Sequence, residues 1–252
     1  PYRRQRQMCI RDRYSALTQF FRGGFKMQLL RFQTAVFFKK PAERPDLLSG
    51  NMPSELLTLF DQIPITNPVP PILQGVPNVP DLPVVTLISS RPGYQGTISK
   101  SRADFFYNYT IKRDYSELLS EASKYSEAFI EYFCAKQQVN RIGIVLTAFI
   151  PEENAVKTIA KRYTSRDLQN SEELAVRFNK REQKNGIQLN NIINIRSDSI
   201  SFEGKAPIQG VIVECDINNI ATLTQLTQNE CKLIFSHALE RYAGEEVKKL
   251  IL

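Results

Sequence analysis

Two stretches of this chain, residues 115–137 and 227–242, repeat their apolar residues at helical spacing, and each follows three runs patterned as strands. Neither a helical bundle nor a parallel βαβ sheet is written in that order. Three strands joined by short polar breaks form an antiparallel meander, and the helix that follows must lie across one face to bury its stripe.

The first half opens with "MQLLRFQTAVFF", a strand, and continues with a short helix over "PSELLTLFDQI", with Pro53 in its first turn and Leu56, Leu57 and Phe60 on one face. Seven prolines fall in residues 64–83, so that stretch is an extended connector. The runs "PVVTLISS", "YQGTISK" and "RADFFYNYTIK" give the meander, and a helix starts after Asp114, with Glu117 placed to close a capping box. In the second half "RIGIVLTAFI" is a strand, and Pro151 begins a helix through Tyr163. The runs "ELAVRFNKRE", "IQLNNIINIRS" and "IQGVIVECDI" form the second meander, with a tight turn at Asn185-Gly186. Thr227 and Glu230 then form a capping box, and Leu226 staples onto Cys231. The expected class is α+β: a mostly antiparallel sheet, single and curved or split in two, with long helices on one face. Its halves, 27–137 and 138–252, both read β-α-β-β-β-α, a duplication at the level of element order. In shape this resembles clamp-like, helix-grip and TATA-binding-protein-like modules, a likeness that carries no function.

Residues 1–26 read differently from the rest. One DNA string, CGT CGG CAG CGT CAG ATG TGT ATA AGA GAC, encodes Arg3 through Asp12 and resembles the end of a transposase sequencing adaptor. "RGGFKM" is encodable with a purine-rich ribosome-binding element just before an ATG, so the expected natural start is Met27. The whole chain has a net charge of +7, but residues 1–26 hold seven of the basic residues and one of the acidic. The remaining 226 residues carry 26 basic against 25 acidic, or +1, which removes the global argument for nonspecific binding to nucleic acid or anionic membrane. With no apolar run of about 18 residues, a cytoplasmic protein without membrane association is expected.

The phrases "VTLISSRPGYQGTISKSRADFFYNY", "NRIGIVLTAF", "ELAVRFNK" and "VIVECDINNI" resemble a sporadically distributed family of uncharacterised bacterial proteins. The resemblance implies an α+β fold and a bacterial or phage source, and it supplies no catalytic residue.

Chemistry-bearing patterns are sparse. No phosphate-binding loop, dinucleotide fingerprint or metal-spaced His/Cys cluster occurs, so no catalytic residue, cofactor or metal is assigned. His237, the one histidine, lies in the last helix and reads as structural. Cys134, Cys215 and Cys231 are far apart in apolar surroundings and read as buried thiols. Glu214 and Asp216 flank Cys215 on one strand face and suit a solvent or interface role before acid-base work. The better binding candidates are Arg177, Asn179 and Arg181 on one strand, with Asn191, Asn194 and Arg196 on its neighbour. "DFFYNY" places Phe105 and Tyr107 on one face and Phe106 on the other. Three functions are open at this point: a noncatalytic interaction module that binds a protein partner or itself, a nucleic-acid-binding module using the Arg177 to Arg196 face, and a carboxylate-dependent enzyme.

Overall fold

Alternation along the strand-like runs assigns every second side chain to a common core, and the computed structural model gathers all the runs into one sheet. It describes residues 26–67, 81–110, 112–164, 166–201 and 206–251. The adaptor reading of residues 3–12, the read-through reading of residues 1–26 apart from Lys26, and residues 68–80 of the proline-rich connector lie outside the described residues. In chain order the elements are β1 Gln28–Phe38, α1 Ser54–Leu59, β2 Ile65–Thr66, β3 Val85–Ile88, β4 Tyr94–Ile98, β5 Arg102–Asn108 and α2 Tyr115–Lys136. The second half adds β6 Val139–Pro151, α3 Ala155–Tyr163, β7 Ala175–Lys184, β8 Ile187–Ile200, β9 Ile208–Asn219, α4 Gln228–Tyr242 and α5 Gly244–Lys249.

The nine strands run in the order β2-β3-β4-β5-β1-β6-β9-β8-β7. Every neighbouring pair is antiparallel. The opening strands of the two halves, β1 and β6, pair at the centre, Phe32 opposite Leu146 and Thr34 opposite Ile144. Outward from this seam each half lays down its last, middle and first meander strand. The fold is therefore α+β with one continuous sheet; residues 138–252 follow the expected β-α-β-β-β-α order with α5 appended, whereas the two-residue β2 adds a strand to that order in residues 27–137.

Helices α2 and α4 pack on each other and cross the central strands, while α3 lies on β7, β8 and β9. Facing them are Phe32 and Val36, Phe105 and Tyr107, Ile144 and Leu146, and Val213, Cys215 and Ile217, all buried. Burial of large apolar side chains at about 25 cal/mol per Å² is the main driving force for this layer. Aromatic rings thicken it on the first half, with Phe129 4.6 Å from Phe133 and Tyr94 5.1 Å from Tyr107 between centroids. Two tyrosines join the halves. The Tyr115 hydroxyl donates to the Tyr242 carbonyl at 2.6 Å, and the Tyr242 hydroxyl reaches the carbonyls of Ile144 and Cys215 and accepts from the Ile217 N–H.

Local expectations differ from the structure in three places. Leu57 is exposed, and α1 buries Leu56, Leu59 and Phe60, because a helix this short presents only the i, i+3, i+4 triplet to its neighbour. Pro151 ends β6 opposite Gly210 instead of starting a helix; the missing N–H is harmless at a strand end, and α3 begins at Ala155. Asp114 caps α2 through the N–H groups of Ser116 and Glu117, and no bond returns from the Glu117 side chain among the described residues. At Thr227 the expected reciprocal capping box forms. The β7–β8 turn has positive φ at both Asn185 (48°) and Gly186 (83°), as a two-residue hairpin requires.

Candidate functional site

Since the helices share one face, the alternate residues of every strand point to the other, where no described element lies over them. On β7 this open face carries Arg177, Asn179 and Arg181, opposite Asn194, Ile192 and Asn190 of β8; Ala175 faces Arg196. Five of the six expected binding residues thus come together. Asn191 does not: it is an odd number of positions from Asn194 and Arg196, so the strand turns it to the helix side, where it is buried and donates to Glu182 at 3.2 Å. Asn190 takes its place on the open face.

The face extends well beyond those two strands. Asn190 donates to the Asn218 side chain at 3.2 Å, Arg141 donates to the same oxygen at 3.2 Å, and Asn218 in turn donates to Asp216 at 2.8 Å. The Arg141 guanidinium lies 5.0 Å from the Phe37 ring centre, and Arg102 approaches that ring at 5.8 Å. Arg102 pairs with Asp104 at 2.9 Å, Gln33 donates to Asp104 at 3.0 Å, and Arg31 donates to Gln33 at 2.6 Å while lying 5.5 Å from Phe106. From β8 to β5, side chains of five adjacent strands interlock. Such cation–π contacts and charge-assisted bonds hold the arginines in place.

The charge pattern is specific. The strand positions on this face hold six arginines (Arg31, Arg102, Arg141, Arg177, Arg181, Arg196) and, among the described residues, no lysine. Four acids accompany them: Asp104, Asp198, Glu214 and Asp216. Arg196 lies 3.5 Å from Asp198, whereas Arg177 and Arg181 are exposed with no acidic partner among the described residues. Phe37 and Phe106 are half-buried.

Of the four acids Asp104 sits deepest, 2 % exposed. Burial pushes its carboxyl above the usual carboxylate range, against the opposing pull of Arg102 and the Gln33 bond. The folded chain then holds this proton more tightly than the unfolded one. Its favourable contribution is complete below the ordinary Asp value near 4 and is lost as pH rises through that value towards the raised folded one. Asp104→Asn is expected to flatten this segment of the stability curve and to raise stability at neutral pH. Urea denaturation at about pH 4 and about pH 7 checks it; a variant less stable than the parent at neutral pH would mean that the Arg102 pair outweighs desolvation.

On the helix side, His237 is buried and its Nε2 lies 3.1 Å from Glu182, which also meets Arg241 at 3.4 Å. Burial pushes Glu182 up, but the bond from Asn191 and the charges of Arg241 and His237 hold it below the ordinary range. The cluster ties edge strand β7 to α4. Elsewhere a cavity of about 540 Å³ is lined by Lys26, Met27, Tyr115, Ile150 and three carboxylates. All three have local partners: Asp114 caps α2, Glu152 accepts from the Asn154 N–H, and Glu245 pairs with Lys248. No helix among the described residues is long and apolar enough to cross a membrane.

No family model matches the chain, and no curated protein matches it significantly. The open face is therefore read on its own chemistry.

Proposed function

We propose that this chain is a noncatalytic interaction module, bacterial or phage-associated and cytoplasmic, that holds a protein partner or a second copy of itself against the open face of its sheet. The observation that carries this reading is an antiparallel face that no described helix covers, bearing six arginines, no lysine among the described residues and two half-buried phenylalanines. Arginine and aromatic residues are enriched, and lysine depleted, where proteins meet. An interlocked face is also pre-ordered, so less side-chain entropy is lost on binding. The similar order of the two halves, apart from β2 and α5, fits an internal duplication, with the face assembled across the seam.

A second reading has its own support: Arg177 and Arg181, exposed and with no ion-pair partner among the described residues, could contact a phosphate backbone. Size-exclusion chromatography with light scattering, read at two ultraviolet wavelengths, separates the two. A discrete oligomer or protein complex free of nucleic acid, dissociated by Phe106→Ala with Arg102→Ala, is the expected result. A species carrying nucleic acid that salt removes would overturn the first reading. In that case Arg177→Glu with Arg181→Glu is expected to weaken binding to a short single-stranded RNA at least about tenfold and to reduce its salt dependence.

A further inference from the structure

Cys134 and Cys231 lie about a hundred residues apart in sequence, and the packing of α2 on α4 brings them together. Their side chains lie within interaction range of each other, and neither is in a disulfide. Cys134 is in the last turns of α2 and partly exposed; Cys231 is in the first turns of α4 and fully buried. Beside them Lys232 and Glu131 form an ion pair that joins the same two helices. We propose that Cys134 and Cys231 are a redox-active dithiol, a modification site at which hydrogen peroxide closes a disulfide between α2 and α4.

The roles of the two thiols differ. Cys134 is partly exposed and within reach of peroxide, while Cys231 is fully buried. In the same sense, the neighbouring Cys231 side chain pulls the Cys134 thiol below its ordinary range, and the Cys134 side chain and burial push Cys231 up. Cys134 is thus the nucleophile: its thiolate attacks one peroxide oxygen, the O–O bond breaks, and the product is the Cys134 sulfenic acid with hydroxide, which takes a proton to leave as water. The Cys231 sulfur then displaces the sulfenic hydroxyl, which takes up the Cys231 proton and departs as a second water. Two thiols are oxidised and one peroxide is reduced, with two waters formed. Cys215 faces the helices from β9, buried, with its thiol pushed up to about 12, and stays outside the reaction.

The test uses the full chain, exposed to hydrogen peroxide, alkylated, digested without reduction and mapped by mass spectrometry. The expected result is a cross-linked peptide pair containing Cys134 and Cys231, with Cys215 recovered as a thiol, and a Tm raised by roughly 10 °C because the bridge closes a loop of about a hundred residues. In Cys231→Ser, Cys134 is expected to accumulate as sulfenic acid, trapped by dimedone, with no cross-link. Recovery of both cysteines as free thiols, or of Cys134 as sulfinic acid with Cys231 unbridged, from the parent chain would overturn the proposal. That readout needs no variant to fold.

Discussion

Tyr242→Ala is expected to lower the stability of the chain by about 4 kcal/mol, in the range of large aromatic truncations in cores. The residue is fully buried at the end of α4, and its hydroxyl lies among the carbonyls of Ile144 on β6 and Cys215 on β9 and the N–H of Ile217. Its own carbonyl receives the Tyr115 hydroxyl, so the ring is held between the two halves. Truncation removes the ring contacts and leaves a cavity the packed helices cannot close. Tyr242→Phe keeps the ring and isolates the hydroxyl; its loss should be about 1–3 kcal/mol, the cost of polar groups left without their partner. Urea denaturation followed by circular dichroism measures both. An alanine variant within about 1 kcal/mol of the parent would show that the seam is held elsewhere.

Gly210→Ala is the second large effect. A Cβ at this position would lie 2.4 Å from two carbons of the Phe149 ring and 2.5 Å from the Ile150 carbonyl oxygen. Phe149 is fully buried on the sheet face opposite the helices, and its ring fills the space a side chain at Gly210 would take. The added methyl must displace a ring and a backbone oxygen at once, and overpacking of that kind costs about 3 kcal/mol. Phe149→Ala is itself costly, but the double variant should lose less than the sum of the two single losses, the shortfall being the ring's share of the clash, since the Ile150 carbonyl remains. A single variant that melts with the parent would show that β9 shifts away from β6 without penalty.

How much of this was legible beforehand depends on the range of the interaction. Period-two alternation fixed the strands, and period 3.6 with a good cap fixed α2 and α4, because both signals are local. The pairing of β1 with β6, which makes one sheet of two halves, is encoded only in which edges remain apolar. On the binding face, alternation was enough to group Arg177, Asn179 and Arg181. The same rule applied to β8 would have exchanged Asn191 for Asn190. Half of the face escaped attention because Arg31 and Gln33 look like interruptions of an apolar run, while Arg102, Arg141 and Asn218 lie far away in sequence and meet only through the strand order. The contact of His237 with Glu182, 55 positions earlier, and that of Cys134 with Cys231 are tertiary and leave no local trace.

The central seam also governs the order of events as the chain folds. The β7–β8 hairpin needs only a two-residue turn and closes on the microsecond scale typical of hairpins. Phe32 and Leu146, opposite each other on β1 and β6, are separated by about 110 residues, so their pairing waits for most of the chain and carries the entropy of a very long loop. A nascent chain that ends before β6 presents β1 with one edge bare and Phe32, Val36 and Phe38 alongside it, a template that a neighbouring chain can extend.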